Sequence, residues 1–336
     1  MELKEALNNL WNVVGTVEGC TSKTGTISTY LNAQQAVVAG PYGYGQLNLT
    51  DELPIEDWLQ IPAAETKKVL DALSGDYVLD VADNKITFRA GRFRAIVPSM
   101  GTTGPEKVNT QEENPVEVSS VWQILLTVSE FASMPNASSM PELTNIYWGP
   151  EGIWACNRIS MMNHTLEALD SPLLILRSAL MGLSKMAEIP THVSDRPDSL
   201  LWTFPSGSVI TPKILGEYPI ENLMKIFDRE ILYHWSCNHG ELKSAADRAG
   251  SLADEVLLQF KAGKLFIRTT ENVESQSIVA GKWQGESCDS ALKMSIAELK
   301  RFLSFSNEVN WAMNESVLYQ EGENCRSASS LTIVKD

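Results

Sequence analysis

The chain has 336 residues, 43% of them hydrophobic and 21% charged, with 27 Lys and Arg against 42 Asp and Glu for a formal net charge of −15. That length exceeds one ordinary core and accommodates two or three domains of roughly 100–150 residues. No run of about 18 apolar residues is present, and Met1-Glu2-Leu3-Lys4 opens an amphipathic pattern rather than a signal peptide, which predicts a cytoplasmic protein with neither membrane span nor export signal.

Five cysteines, Cys20, Cys156, Cys237, Cys288 and Cys325, are odd in number and widely scattered. They read as free thiols of a reducing compartment rather than a disulfide framework. The acidic balance bounds solubility but leaves function open, because a local basic stripe can coexist with an acidic exterior.

In chain order, residues 2–15 place Leu3, Ala6, Leu7, Leu10, Trp11 and Val14 at the spacing of a helix with one buried face. A hairpin follows in STYLNAQQAVVAG, then a second helix over 63–73 and the strands of YVLDVADNKITFRAGRFRAIVP. Within the last stretch Ile86, Phe88 and Ala90 alternate with Lys85, Thr87 and Arg89, and Gly91-Arg92 turns the chain back through Arg94. This predicts a half-buried hairpin with its charges on one side. Residues 99–116, rich in Gly, Pro, Asn, Thr and Glu, read as a linker.

The same order then recurs. Residues 119–134 carry Val121, Ile124, Leu125 and Val128 at helical spacing behind the candidate N-caps Ser119 and Ser120. The hairpin NIYWGPEGIWAC, a helix over 176–186 and the strands of SLLWTFPSGSVITP come next. A third round has a helix over 240–255 with Leu242, Ala245, Ala246, Ala249 and Leu252, the hairpin LLQFKAGKLFIRTT, a helix over 296–305 and the closing strands from Val309. Leu3 to Val121 is 118 positions and Val121 to Leu242 is 121; Leu73, Leu183 and Leu303 are 110 and 120 apart. The repeat predicts an α+β protein of three modules, 1–113, 114–226 and 227–336, each with two helices packed on antiparallel sheet. The second seam, within 216–239, is placed near Phe227.

Three consecutive modules with two helices apiece resemble the bacterial-type sliding clamp, the β subunit of a replicative DNA polymerase. GRFRAIVP is similar to the GR-containing hairpin that closes that family's first module, and LGEYP (215–219) to the Gly-x-Phe-Pro turn that ends its second. IWACNRISM (153–161) lies where the family has a Thr-Asp-Gly-His-Arg-Leu run, keeping Arg158 and an apolar Ile159 but not the Asp, Gly or His. The resemblance implies a head-to-tail homodimer closing a six-module ring around duplex DNA, helices lining the hole and sheets outside. It implies a non-enzymatic processivity factor, with no cofactor and no membrane, that holds double-stranded DNA without regard to sequence and tethers a DNA polymerase. Whether a clamp loader opens the ring stays open, and a divergent clamp serving its own polymerase, as in a virus of bacteria, fits the departures from the family pattern.

On that resemblance the DNA-facing cations are Lys4, Lys67, Lys68, Arg177, Lys185, Lys243, Arg248, Lys300 and Arg301 on the six helical stretches, with Lys23 in the loop after the first helix. These stretches hold nine cations against ten carboxylates, less acidic than the whole chain but also what ordinary solvated helix faces show. The partner-peptide pocket between modules two and three would draw on Leu143, Arg158, Ile159, Pro219, Met224, Val317, Leu331, Ile333 and Val334. An apolar groove containing Met suits several partners. The family's C-terminal Met-Pro-x-Arg run is replaced by SLTIVKD, a departure from the family's pocket pattern.

Two other readings compete: a clamp-fold adaptor that binds partners without encircling DNA, and a metal-dependent enzyme using His234, Cys237 and His239. The latter three have H-x2-C-x-H spacing, but a structural zinc site wants four ligands and no fourth lies nearby, so the stretch reads as a loop leading into the third module's helix. GPYGYG (40–45) opens no helix after a strand and reads as a loop between strands rather than a phosphate cradle. None of the four histidines, at 164, 192, 234 and 239, lies in a nucleophile motif.

Overall fold

A computed structural model describes residues 1–14, 27–40, 43–134, 140–165, 168–214, 216–269, 273–285, 291–304, 309–314 and 316–334, with the side chain of Ile333 excepted. The stripe at Leu3, Ala6, Leu7, Leu10, Trp11 and Val14 folds as helix α1 (Leu3–Val14), and all six side chains are buried. Leu7 and Leu10 are fully buried, each stabilising the fold by about 2 kcal/mol. Trp11 Nε1 donates to Thr29 Oγ1 at 3.0 Å, fixing the helix on the strand Ser28–Leu31. The remaining helices are α2 (Ala63–Ala72), α3 (Trp122–Ser129), α4 (Arg177–Leu183), α5 (Ile220–Phe227), α6 (His239–Gly250) and α7 (Ile296–Ser304).

The chain divides into two compact units, the first made of residues 1–126 and 174–215, the second of 127–173 and 216–336. In the first, an antiparallel sheet runs Leu59–Ile61, Ser28–Leu31, Gln35–Gly40, Gly43–Asn48, Gly207–Pro212, Ser199–Phe204, His192–Asp195, Val116–Glu117, with α1 against its second and third hairpin strands and α4 beside α1. Gly43–Asn48 is therefore a strand, where a loop was expected over 40–45. A Cβ on Gly45 would collide with Leu10 Cδ2, so the glycines that suggested a loop serve the close approach of α1. A separate sheet of Val78–Ala82, Lys85–Ala90 and Phe93–Pro98 carries the basic hairpin. Ile86 and Phe88 are fully buried while Lys85, Arg89, Arg92 and Arg94 are exposed, and Arg89 lies beside Arg94 in register and 3.6 Å from Asp80. The charges decorate one face of a half-buried hairpin.

In the second unit one sheet runs, strand beside strand, through Asn145–Gly149, Gly152–Cys156, Ser160–His164, Cys325–Ser330, Val317–Glu321, Val309–Met313, Tyr233–Cys237, Ser275–Gly285, Lys264–Thr269, Glu255–Lys261, Ala291–Ser295 and Thr332–Val334. The helices α6 and α7 pack on each other, and α6 also on the strands Ser275–Gly285 and Lys264–Thr269. Trp235, Trp311 and Phe260 cluster in its core, with the two indoles 5.4 Å apart.

Several elements differ from the sequence reading. The α3 helix starts at Trp122, and just ahead of it Ser120 Oγ and the Ser120 N–H both donate to the Glu117 carboxylate, at 2.9 and 3.2 Å. It ends at Ser129 as bonds from Glu130, Phe131 and Ala132 tighten to three-residue spacing. The α6 helix starts one residue earlier, with Asn238 accepting from Glu241 N at 3.1 Å, and stops at Gly250, which leaves Leu252 beyond the helix. The stretch 216–239 contains α5 and the strand Tyr233–Cys237, so His234–Cys237 lie in a strand where a loop was expected. In that strand Trp235 turns into the core and His234 outward, an alternation legible in the residues themselves.

Candidate functional site

The turn Asn157–Ile159 joins the strands Gly152–Cys156 and Ser160–His164. Asn157 Oδ1 accepts from the N–H groups of Ile159 and Ser160 at 3.0 and 2.8 Å, which folds the turn tightly enough to put Arg158 at φ 77°. Ser330 N donates to Ile159 O at 2.8 Å and ties the turn to the strand Cys325–Ser330. Together with the end of α5 these strands enclose a cleft of about 170 Å³. Met161, Val317 and Ala328 form its buried wall, Ile226 and the 54% exposed Ile159 its apolar rim, and Arg158 and Arg229 its charged rim.

Behind the turn lies a charged brace. Glu298 on α7 is 6% exposed, pairs with Arg301 and accepts from Asn157 Nδ2 at 3.3 Å. Arg301 Nη1 also reaches Ser160 Oγ at 3.4 Å, and its guanidinium lies 5.6 Å from the Phe131 ring.

Of the pocket residues expected from sequence, the cleft gathers Arg158, Ile159 and Val317. Leu143 is buried in the short 3-10 turn Pro141–Thr144, Pro219 precedes α5, and Met224 is exposed on α5 away from the cleft lining. Leu331 is buried beside it, with its N–H bonded to Ser316 O at 2.8 Å. Val334 pairs with Ala291 at the far end of the sheet, and the side chain of Ile333 lies outside the described residues. Cys156, Ser160, Met161, Ile226, Arg229 and Ala328 were missed. Ser160, Met161 and Ala328 meet through the pairing of Ser160–His164 with Cys325–Ser330, while Ile226 and Arg229 come from the end of α5, and the local sequence holds no signal for either approach.

The cations divide into open and occupied. Lys68, Lys185, Lys243 and Arg248 are exposed, and none of the four forms an ion pair among the described residues. Lys67 is 3.4 Å from Asp71, and Lys300 is 3.0 Å from Asp247. Lys4 Nζ donates to Leu73 O at 3.0 Å, linking α1 to the end of α2, and Arg177 is half-buried at the start of α4. Arg301 is turned into the brace, its side chain 19% exposed. Lys23 lies outside the described residues.

No protein-family model and no curated protein sequence matches the chain. Solved structures do. The DNA polymerase III β subunit of Thermotoga maritima superposes with a TM-score of 0.79 at 12% identity, covering 99% of this chain and 98% of the other. The DNA polymerase sliding clamp of Bacillus subtilis gives 0.77 at 14%, covering 99% and 97%, and the DNA polymerase III β subunit of Pseudomonas aeruginosa 0.76 at 14%, covering 98% of each.

The chain has the sliding-clamp fold. At such identities the likeness is one of architecture, and it extends from end to end of the clamp chain. Within this clamp fold His234 and Cys237 sit three residues apart on one strand and so point to opposite faces, while His239 Nε2 lies 2.8 Å from Leu303 O. Burial, with a smaller contribution from Glu241, pushes the Cys237 thiol up to about 12. Among the described residues no three His, Cys, Asp or Glu side chains are grouped to hold a metal, and no helix is long and apolar enough to cross a membrane.

Proposed function

We propose that the protein is a DNA polymerase processivity factor, a ring-forming clamp that encircles duplex DNA and tethers a polymerase while catalysing no reaction itself. The observation that carries this reading is the end-to-end correspondence of fold with DNA polymerase III β subunits, at TM-scores of 0.76 to 0.79. The modules are 1–113, 114–226 and 227–336, and two copies close the ring head to tail. Phosphate contacts from the helices are weak and mobile, as sliding requires, and carry no sequence information.

Two strand edges suit the ring closure. The strand Phe93–Pro98 is an outer strand of its sheet, with Phe93 40% and Ile96 50% exposed. Residues 275–280 of Ser275–Gly285 pair with Lys264–Thr269 on one side, whereas only residues 281–285 pair with Tyr233–Cys237 on the other, and Ile278 is 53% exposed. An exposed edge with apolar side chains is a template for strand addition. The cleft beside Ile159 is the docking site for partner segments.

The adaptor reading draws support from Lys4, Lys67, Lys300 and Arg301, each engaged within the chain. Light scattering separates the two: a ring gives a mass near twice 37.1 kDa, and a strict monomer at micromolar concentration refutes it. An encircling clamp is retained on nicked circular DNA and lost on linearisation, whereas an adaptor shows no such dependence.

A further inference from the structure

We propose that a second cavity of the same unit, on the sheet face centred on His234 and Ser236, binds a small ligand in which a planar ring is joined to a phosphate, the chemistry of a mononucleotide. The strands Ser275–Gly285, Tyr233–Cys237 and Val309–Met313 lie side by side, with Ser236 in register between Lys282 and Asn310 and His234 between Gln284 and Ala312. Trp235 and Trp311 turn into the core, so these neighbours stand on the opposite face. Phe227, the last residue of α5, and Ile231 beyond it complete the lining of a cavity of about 360 Å³. That volume is in the range of small-molecule sites, where the cleft beside Ile159 at about 170 Å³ is not, and the two linings share no residue.

The lining is polar at one end and apolar at the other. At the polar end Lys282 is exposed and forms no ion pair among the described residues. Glu321, the carboxylate among the described lining residues, stands three strands away, roughly 14 Å at the spacing of neighbouring strands, in register with Arg326. Arg326 is itself engaged: its guanidinium lies 4.2 Å from the Phe227 ring and its Nε donates to Asn163 Oδ1 at 3.4 Å. Lys282 is therefore the cation open to a ligand's anion. A guanidinium fork matches a planar carboxylate, whereas a lysine point charge flanked by the Ser236 hydroxyl, the His234 ring and the Gln284 amide matches the several oxygens of a phosphate. At the apolar end Ala312 faces Ile231 and Phe227. The Tyr319 hydroxyl donates to Ile226 O at 3.0 Å and its ring lies 6.1 Å from that of Phe227, which pins the end of α5 to the sheet. The wall is thus formed before a ligand arrives, and a flat ring seated on Ala312 gains by burial without ordering it.

The test titrates the full-length protein with adenosine 5′-monophosphate, adenosine and inorganic phosphate, by equilibrium dialysis and saturation-transfer NMR. The nucleotide is expected to bind about tenfold or more tightly than either fragment, because it joins the two halves of the site. Lys282→Gln is expected to weaken the nucleotide about three- to tenfold and to leave adenosine unchanged, and Ala312→Leu, which fills the seat of the ring, to weaken both. No saturation transfer to the nucleotide at millimolar concentration, equal affinity for nucleotide and adenosine, or nucleotide binding that survives both substitutions overturns the proposal. An oligothymidylate that displaces bound nucleotide at a lower concentration than thymidine monophosphate does overturns the mononucleotide in favour of a strand. Circular dichroism of each variant checks that it is folded.

Discussion

Removing the Arg301 guanidinium isolates what the brace behind the cleft contributes. In Arg301→Ala the Glu298 carboxylate, in a side chain 8% exposed, keeps only the Asn157 amide at 3.3 Å, and its second oxygen is already buried without a hydrogen-bond partner. Breaking a buried pair by removing one member costs about 3–5 kcal/mol, because the remaining charge is uncompensated. The 19% exposure of the Arg301 side chain lets water share part of that load, which places the expected loss near the lower end, about 3 kcal/mol. Glu298→Gln, which keeps the shape and one acceptor, is expected to cost about 1–2 kcal/mol. Replacing both residues by Met removes the charges together and is expected to be milder than Arg301→Ala alone. Guanidinium unfolding followed by tryptophan fluorescence, reporting Trp235 and Trp311 in the same unit, gives the three values, and hydrogen exchange at Ile159 and Ser160 reports the turn directly. A loss below about 1 kcal/mol for Arg301→Ala, or a double variant as unstable as the single one, would refute the brace.

Neutralising Lys67 and Lys68 is expected to weaken retention on nicked circular DNA and to lower its salt dependence by roughly one counterion per lysine, while neutralising Arg89 and Arg94 leaves both nearly unchanged; the reverse pattern overturns the assignment of faces. On the proposed ring, Ile96→Arg or Ile278→Arg is expected to shift the mass in light scattering from two copies to one, and a two-copy mass unaffected by both changes excludes these strand edges as the contact. Burial holds the His164 imidazole below its ordinary value of 6.5, so the neutral ring favours the folded state. That contribution is complete above about pH 6.5 and is lost as the pH falls from there toward the folded-state value. His164→Gln is therefore expected to reduce the drop in melting temperature between pH 7.5 and pH 5.5, and an unchanged drop assigns the acid sensitivity elsewhere.

Much of the architecture was legible because it is local. Helical spacing at Leu3, Leu7 and Leu10 and alternation at Ile86 and Phe88 are written over a dozen residues or fewer, and the threefold recurrence of helix, hairpin and helix needed only distances along the chain. The strand Tyr233–Cys237 carries the same kind of signal, with Trp235 and His234 on opposite faces, overlaid on a metal-like spacing of His and Cys. Helix ends were less legible: the bonds from Ser120 to the Glu117 carboxylate ahead of α3 depend on side-chain placement that the pattern does not encode.

The cleft is a different matter. Met161 and Ala328 are opposite each other only because Ser160–His164 pairs with Cys325–Ser330 in one register, and a one-residue shift of either strand would turn its own residue to the other face. Arg301 makes the same point for charge. The sequence by itself determined that a cation stands on an amphipathic helix; only the tertiary structure decided that it turns toward Glu298 and Ser160 instead of solvent. Burial of a carboxylate demands a partner, and which cation supplies it depends on where distant strands bring the backbone.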